Sequence, residues 1–180
     1  MSLLMSGLKA GILVGLVAAV LGGIMQVVGS IPILGFCICL VTPFTWGLTW
    51  FLFPLGAGVL GTMFAKGHVR SLVDGLVAGV VAGAVYALLS WLIGFLVGIA
   101  LLVIWQIIGV LFNVPGVAAG NVDLVTLIIN TIVGAFGGLF MNIIQTLIGL
   151  AIVFVAGLFW GAIGGAAGSF LFKAPSKALD

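Results

Sequence analysis

A stripe of polar side chains lies at helical spacing in an otherwise apolar stretch of the chain. Thr126, Asn130 and Asn142 are separated by multiples of four residues, and Gln145 follows three residues later. Such spacing places side chains on one face of a helix. Polar groups within a bilayer take partners inside a helical bundle or line a hydrated cavity. The stripe therefore indicates either interhelical hydrogen bonds or a path or site for a small polar ligand.

The other chemically capable side chains lack the partners that catalysis or cofactor binding needs. Cys37 and Cys39 have no second pair and no histidine at zinc-site spacing. Asp74 follows Ser71 by three residues, a spacing that predicts a helix cap. His68 lies in a short basic loop. Because no base accompanies a nucleophilic hydroxyl, we expect no enzyme activity, no metal and no cofactor.

The composition places the chain in a membrane. Charged residues make up 4% of its 180 residues and hydrophobic residues 64%, whereas a soluble domain carries about 25% charged residues. The net charge of +2 provides no basic surface for nucleic acid. We therefore expect an all-α integral membrane protein in contact with the lipid bilayer.

The charges and turn residues divide the chain into apolar segments, each of which holds two crossings of about 20 residues. This predicts a polytopic bundle of about six helices, with four long helices as the alternative. A short interfacial segment is expected over residues 33–41, and a turn at Gly94–Gly98. The predicted helices are Leu8–Gly29, Thr42–Lys66, Ser71–Leu92, Gly98–Phe112, Leu124–Thr146 and Gly149–Phe172.

The positions of the lysines and the arginine predict how the chain is oriented across the membrane. Under the positive-inside rule they belong on the cytoplasmic side, which an even number of helices allows. We therefore expect a multi-pass cell-membrane protein with both termini in the cytoplasm. The cations concerned are Lys9, Lys66, Arg70, Lys173 and Lys177.

Small residues recur every four positions in three of the predicted helices. Such rows permit close helix contact in lipid, where no hydrophobic force drives helices together. They predict glycine-zipper packing and leave open whether one row faces another subunit. The glycines concerned are Gly7, Gly11, Gly15 and Gly23, then Gly75, Gly79 and Gly83, and finally Gly157, Gly161 and Gly165.

The two halves of the chain share part of this pattern. Leu8, Gly11 and Gly15 recur 64 residues later as Leu72, Gly75 and Gly79. We expect a single transmembrane domain over residues 1–180, with a possible parallel repeat of residues 7–67 and 71–173.

Several tracts resemble small glycine-rich archaeal membrane proteins of unknown function. The tracts are Pro54-Leu55-Gly56-Ala57-Gly58, the Lys66–Arg70 turn, Asp74-Gly75-Leu76-Val77-Ala78-Gly79 and residues 161–168. The resemblance covers about half the chain and implies a prokaryotic membrane setting. It carries over no functional residue.

Two functions fit these features. The first is a non-catalytic membrane protein that acts through helix association, as a homo-oligomer or as an accessory or structural subunit of a membrane assembly. The second is a channel or facilitator for an ion or a small neutral solute.

Overall fold

The computed structural model describes residues 2–31, 47–118, 120 and 123–172. Within these ranges the protein is all-α, with no strand. The helices are α1 (Leu3–Gly29), α2 (Leu48–Phe64), α3 (Leu72–Ala118) and α4 (Leu124–Phe172). Three of them, α1, α3 and α4, are long and apolar enough to cross a membrane. The chain is therefore a membrane protein by helix length and composition, as its charge content predicts.

Helix α2 begins with a π-helical turn at Leu48–Leu52, and Pro54 explains it. Proline has no N–H for the preceding turn, and in a regular α-helix its ring collides with the carbonyl four residues earlier. The wider π turn relieves this collision. Accordingly, the Phe53 N–H donates to the Leu48 carbonyl, five residues back.

Helices α1, α2 and the adjoining ends of α3 and α4 form a compact four-helix base. Helix α1 runs parallel to α3, because Gly7, Gly11 and Gly15 meet α3 residues in rising order. Helices α2 and α4 run antiparallel to α3. The buried side chains of the base are small, with one tyrosine among them. The main cluster is Ala10, Val14, Ala18, Ala57, Ala82, Tyr86 and Ala87.

The base is capped at one end by turns that agree with the sequence predictions. Asp74 Oδ2 accepts from the Arg70 and Ser71 N–H groups at 2.9 Å, and Ser71 Oγ accepts from the Asp74 N–H at 3.2 Å. The predicted reciprocal cap is thus confirmed. Gly67 has φ +92°, a backbone conformation that favours glycine.

Beyond the base, α3 and α4 continue as a two-helix hairpin. The two helices run antiparallel, so a residue four positions further along α3 faces a residue four positions earlier in α4. This register holds along the whole hairpin. No described residue between 88 and 156 is buried. We call residues 99–118 and 124–141 the distal hairpin. The facing pairs along the register are Gly75–Gly165, Gly79–Gly161, Gly83–Gly157, Gly98–Asn142, Leu102–Gly138 and Gln106–Gly134.

The described residues contain four helices rather than the six favoured by the sequence. The alternative of four long helices agrees with this number but not with the lengths, because three of the helices are long and α2 is shorter in the part of the chain that the structure describes. Gly94 and Gly149 lie inside continuous helices instead of turns. Glycine inside a helix costs only about 1 kcal/mol, which the contacts along the α3–α4 register offset. The helix predicted to end at Phe112 also continues, through Pro115, to Ala118.

Some predictions concern residues outside the described part of the chain. These are the interfacial segment 33–41 with Cys37 and Cys39, the start of the second helix at Thr42-Pro43, and the C-terminal Lys173 and Lys177.

Candidate functional site: a polar pocket in the α3–α4 hairpin

The predicted glycine row of α1 lies against α3. A Cβ built on Gly7 would stand 2.6 Å from the Ala78 carbonyl oxygen, and one on Gly11 would stand 2.6 Å from that of Ala82. At Gly15 the nearest atom is the Leu89 Cβ, at 3.1 Å. Gly23 is looser, with the Val97 Cγ2 at 3.7 Å. Any side chain at Gly7 or Gly11 would therefore push α1 away from α3.

The predicted glycine rows of α3 and α4 face each other. A Cβ on Gly161 would lie 2.5 Å from the Gly79 carbonyl oxygen, and one on Gly75 would lie 2.5 Å from that of Gly165. Gly83 and Gly157 meet in the same way. In addition, Gly58 of α2 meets Gly161. These rows lie at contacts within the chain, and none of their members is left as an open groove for another subunit.

The predicted polar stripe is divided among three places. Thr126 belongs to the cap of α4, where its N–H and its hydroxyl both donate to Asp123 Oδ2 at 3.1 Å. The backbone N–H of Thr126 is the main reason why the pKa of the Asp123 carboxyl lies below its ordinary value. Thr126 therefore has a structural role at the tip of the hairpin.

Asn130 lies in the distal hairpin beside a cavity of about 260 Å³. Gln106 and Asn113 of α3 share this cavity with Asn130 and Thr131 of α4. The Asn113 side-chain amide donates to the Gly109 carbonyl at 2.7 Å. Carboxamides from both helices therefore line this cavity.

Asn142 and Gln145 line a larger pocket of about 630 Å³ between the C-terminal end of α1 and the hairpin. Gln26 of α1 and Ser30, which follows the last residue of α1, contribute polar groups. No charged side chain lines this pocket within the described residues. The other lining residues are Gly29, Trp91, Gly94, Phe95, Gly98, Leu101, Trp105, Thr146, Gly149 and Val153.

A short series of hydrogen bonds links α3 to α4 at the wall of this pocket. Trp91 Nε1 donates to the Thr146 carbonyl at 2.8 Å, and the Thr146 hydroxyl donates to the Asn142 carbonyl at 2.5 Å. The Trp91 ring stacks on Phe95, with centroids 5.9 Å apart. These bonds give one side of the pocket a defined shape.

Leu102 and Gly138 lie between the larger pocket and the smaller cavity. A Cβ on Gly138 would be 3.0 Å from the Leu102 Cδ1, so this leucine packs closely on the α4 backbone. The polar side chains of the stripe other than Thr126 therefore line two separate cavities.

The arrangement provides neutral hydrogen-bonding chemistry. Carboxamides both donate and accept, and they match hydroxyl, amide or carbonyl groups without a counter-charge. Among the described residues, no group of three or more His, Cys, Asp or Glu side chains could hold a metal ion.

The sequence did not reveal the contribution of Trp91 to the pocket wall. The signal that points to the pocket is its spacing from Phe95 and Gly98, which share one face of α3 with it.

Comparison with known proteins adds no relative from which a function can be carried over. The chain matches no protein-family model, and no curated protein or solved structure is significantly similar to it.

Proposed function

We propose that the protein is a non-catalytic, multi-pass membrane protein that associates with another membrane helix through its α3–α4 hairpin. The partner helix belongs either to a second copy or to a larger assembly in which this chain is an accessory or structural subunit. The observation that carries the proposal is the exposure of carboxamide side chains along this apolar hairpin.

The hairpin has the composition of a surface that needs an apolar cover. Large apolar side chains on both of its helices are more than half exposed. They include Ile107, Leu111, Phe112, Val133, Phe136 and Phe140. Helices that are apolar on every side are stable only inside a bilayer or against other protein.

Lipid alone does not satisfy the polar groups on this surface. Asn130 and Gln145 are exposed on α4, and Gln26 is exposed on α1. Acyl chains offer no hydrogen bonds, and an unpaired amide in an apolar medium costs roughly 2–7 kcal/mol. A partner helix supplies both the apolar cover and hydrogen-bonding groups.

The glycine rows support separate roles for the base, which holds the chain together, and for the hairpin, which contacts the partner. In this proposal, Gly75, Gly79 and Gly83 hold α3 against α4 inside the chain, and the hairpin carries the external contact. The sequence left open whether a glycine row faces another subunit, and the proposal places the external contact at the polar side chains of the hairpin instead.

The orientation follows from the end of the base where the cations lie. Helix α1 begins, α2 ends, α3 begins and α4 ends at the same end. Lys9, Lys66 and Arg70 therefore lie near this end, and the positive-inside rule favours its placement in the cytoplasm. We propose that both termini lie on that side.

Native mass spectrometry of the protein, extracted from its own membrane in mild detergent, tests the association. We expect the wild-type chain to carry a partner of defined mass, and the double variant Asn130→Leu with Gln145→Leu to lose it. The matched control is Ile128→Leu with Ile144→Leu, which changes exposed neighbours without removing a hydrogen-bonding group. A folded wild-type chain that is always monomeric would overturn the proposal.

A second candidate function is a facilitator for a small solute, and the 630 Å³ pocket favours it, because Gln26, Asn142 and Gln145 place carboxamides on a largely apolar wall. Its uncharged lining suits a neutral solute such as a polyol better than an ion. In this case Leu102, packed on Gly138, is the constriction between the two cavities.

Stopped-flow light scattering of proteoliposomes with glycerol or urea tests this candidate. Flux above that of empty liposomes, increased by Leu102→Ala, would support it. If neither the wild-type chain nor Leu102→Ala raises the flux above that of empty liposomes, a facilitator function for glycerol and urea is excluded.

A further inference from the structure

Helices α3 and α4 are much longer than a bilayer is thick. At about 1.5 Å per residue, the 27 residues of α1 span about 40 Å, whereas the 47 residues of α3 span about 70 Å. The hydrocarbon core measures about 30 Å. The base therefore already matches one membrane, and the distal hairpin extends beyond it while exposing apolar side chains to its surroundings.

Both helices contain unsupported glycines at the level of the larger pocket. A Cβ on Gly94 of α3, or on Gly149 of α4, would meet no atom within 4 Å. These glycines therefore serve no close helix contact, in contrast to Gly75, Gly79 and Gly83 of the base. Glycine weakens a helix by about 1 kcal/mol relative to alanine. Gly109 and Gly137 are open in the same way, but Gly94 and Gly149 lie within one helical turn of each other along the shared register, so both helices are weakened at one level.

Side chains at the same level already donate to the backbone carbonyls. Trp91 Nε1 donates to the Thr146 carbonyl, and the Thr146 and Ser90 hydroxyls donate to the Asn142 and Ala87 carbonyls. When a helix bends inside a membrane, such side chains replace the backbone donors that are lost. Hydroxyl groups bonded to the preceding turn also favour bending.

We propose that this level is a hinge, at which α3 and α4 bend together and bring the distal hairpin back into the bilayer. The hinge consists of residues 90–98 of α3 and 142–150 of α4. Because the two helices keep one register, they bend as a pair. The bend also reshapes the polar pocket, which lies at the same level. This inference does not depend on the partner proposed above.

Distances between spin labels on the two halves of α3 test the hinge. Val73→Cys and Leu111→Cys carry the labels, in a chain whose Cys37 and Cys39 are replaced by serine. Both label positions are exposed. Across 38 residues, an unbent α3 gives about 57 Å. In lipid nanodiscs we expect a population with a clearly shorter distance.

Alanine at the two glycines provides a matched comparison. The double variant Gly94→Ala with Gly149→Ala fits the open space, so it stiffens both helices without a clash, and it should reduce the short-distance population by about thirtyfold. The control is Gly109→Ala with Gly137→Ala, where a Cβ also meets no neighbour, and it should leave the distances unchanged. A single distance near 57 Å for the wild-type chain in nanodiscs would overturn the hinge. Equal responses of the two double variants would do so as well.

Discussion

The Tyr86 hydroxyl donates a hydrogen bond to the Thr49 carbonyl oxygen at 2.6 Å. Tyr86 is fully buried in α3, and Thr49 lies in the π turn of α2. A regular α-helix would pair the Thr49 carbonyl with the N–H four residues later, at Phe53. Since the Phe53 N–H donates to Leu48 instead, the tyrosine provides Thr49 with a donor from a neighbouring helix.

Removal of this hydroxyl should weaken the base. We expect Tyr86→Phe to lower the free energy of unfolding by about 0.5–1.5 kcal/mol, because the hydrogen bond to Thr49 is lost while the ring stays in place. Reversible unfolding in mixed micelles measures the change. Ser30→Ala, which removes an exposed hydroxyl bonded to Val27, is the control and should change stability by less than about 0.5 kcal/mol. Equal effects of both substitutions would contradict a structural role for the Tyr86–Thr49 bond.

The glycine contacts between α3 and α4 should tolerate no side chain. In Gly79→Ala the new methyl group collides with the Gly161 carbonyl and with the Gly165 backbone, and it forces the helices apart. We expect a loss of about 1–3 kcal/mol or failure to fold. Gly56→Ala is the matched control, because its Cβ meets no atom within 4 Å. Thermal melting followed by circular dichroism compares them, and similar melting temperatures would show that the close contact is not required.

The cap of α4 should respond to acid. The pKa of Asp123 lies below its ordinary value of 3.8, mainly because the Thr126 N–H bonds to the ionised carboxylate. A depressed pKa means that the cap contributes stability above pH 3.8 and loses it as the pH falls through the lower folded value. Carboxyl chemical shifts followed by NMR titration in micelles should therefore give a midpoint below 3.8.

Thr126→Val keeps the backbone N–H but removes the hydroxyl that also donates to Asp123. This substitution should shift the Asp123 midpoint upward, part of the way toward its ordinary value. A midpoint at or above 3.8 in the wild-type chain, or one that Thr126→Val leaves unchanged, would rule out this cap.

The general class of the fold is predictable from the sequence because composition and spacing determine it. The scarcity of charge indicates a membrane protein, and the Ser71–Asp74 spacing indicates the cap at the start of α3. The rows at Gly75–Gly83 and Gly157–Gly165 mark residues that the structure places against each other.

The number of helices was less predictable, because a glycine such as Gly94 can belong either to a turn or to the interior of a helix. Only contacts distant in sequence, such as Gly98 with Asn142, decide between them. The π turn at Leu48–Leu52 has a local cause in Pro54, but the hydrogen bond that Tyr86 donates to Thr49 of this turn joins residues 37 apart in sequence. The spacing also predicts a single polar stripe on α4. In the structure Thr126 instead donates to Asp123 in the cap of that helix.

The proposed parallel repeat and the resemblance to archaeal glycine-rich membrane proteins stay predictions. The directions of α1 and α3, which are parallel, are compatible with the repeat.

Site-specific photo-crosslinking in intact native membranes tests the proposed association of the hairpin most directly. The photoreactive residue replaces Val133 or Phe136, which are 64% and 71% exposed in the distal hairpin. Phe170 in the base, 77% exposed, provides the comparison position. The proposal predicts a discrete protein adduct from the hairpin positions, whose mass shows whether the partner is a second copy or another subunit. Adducts with lipid alone at both hairpin positions would contradict it.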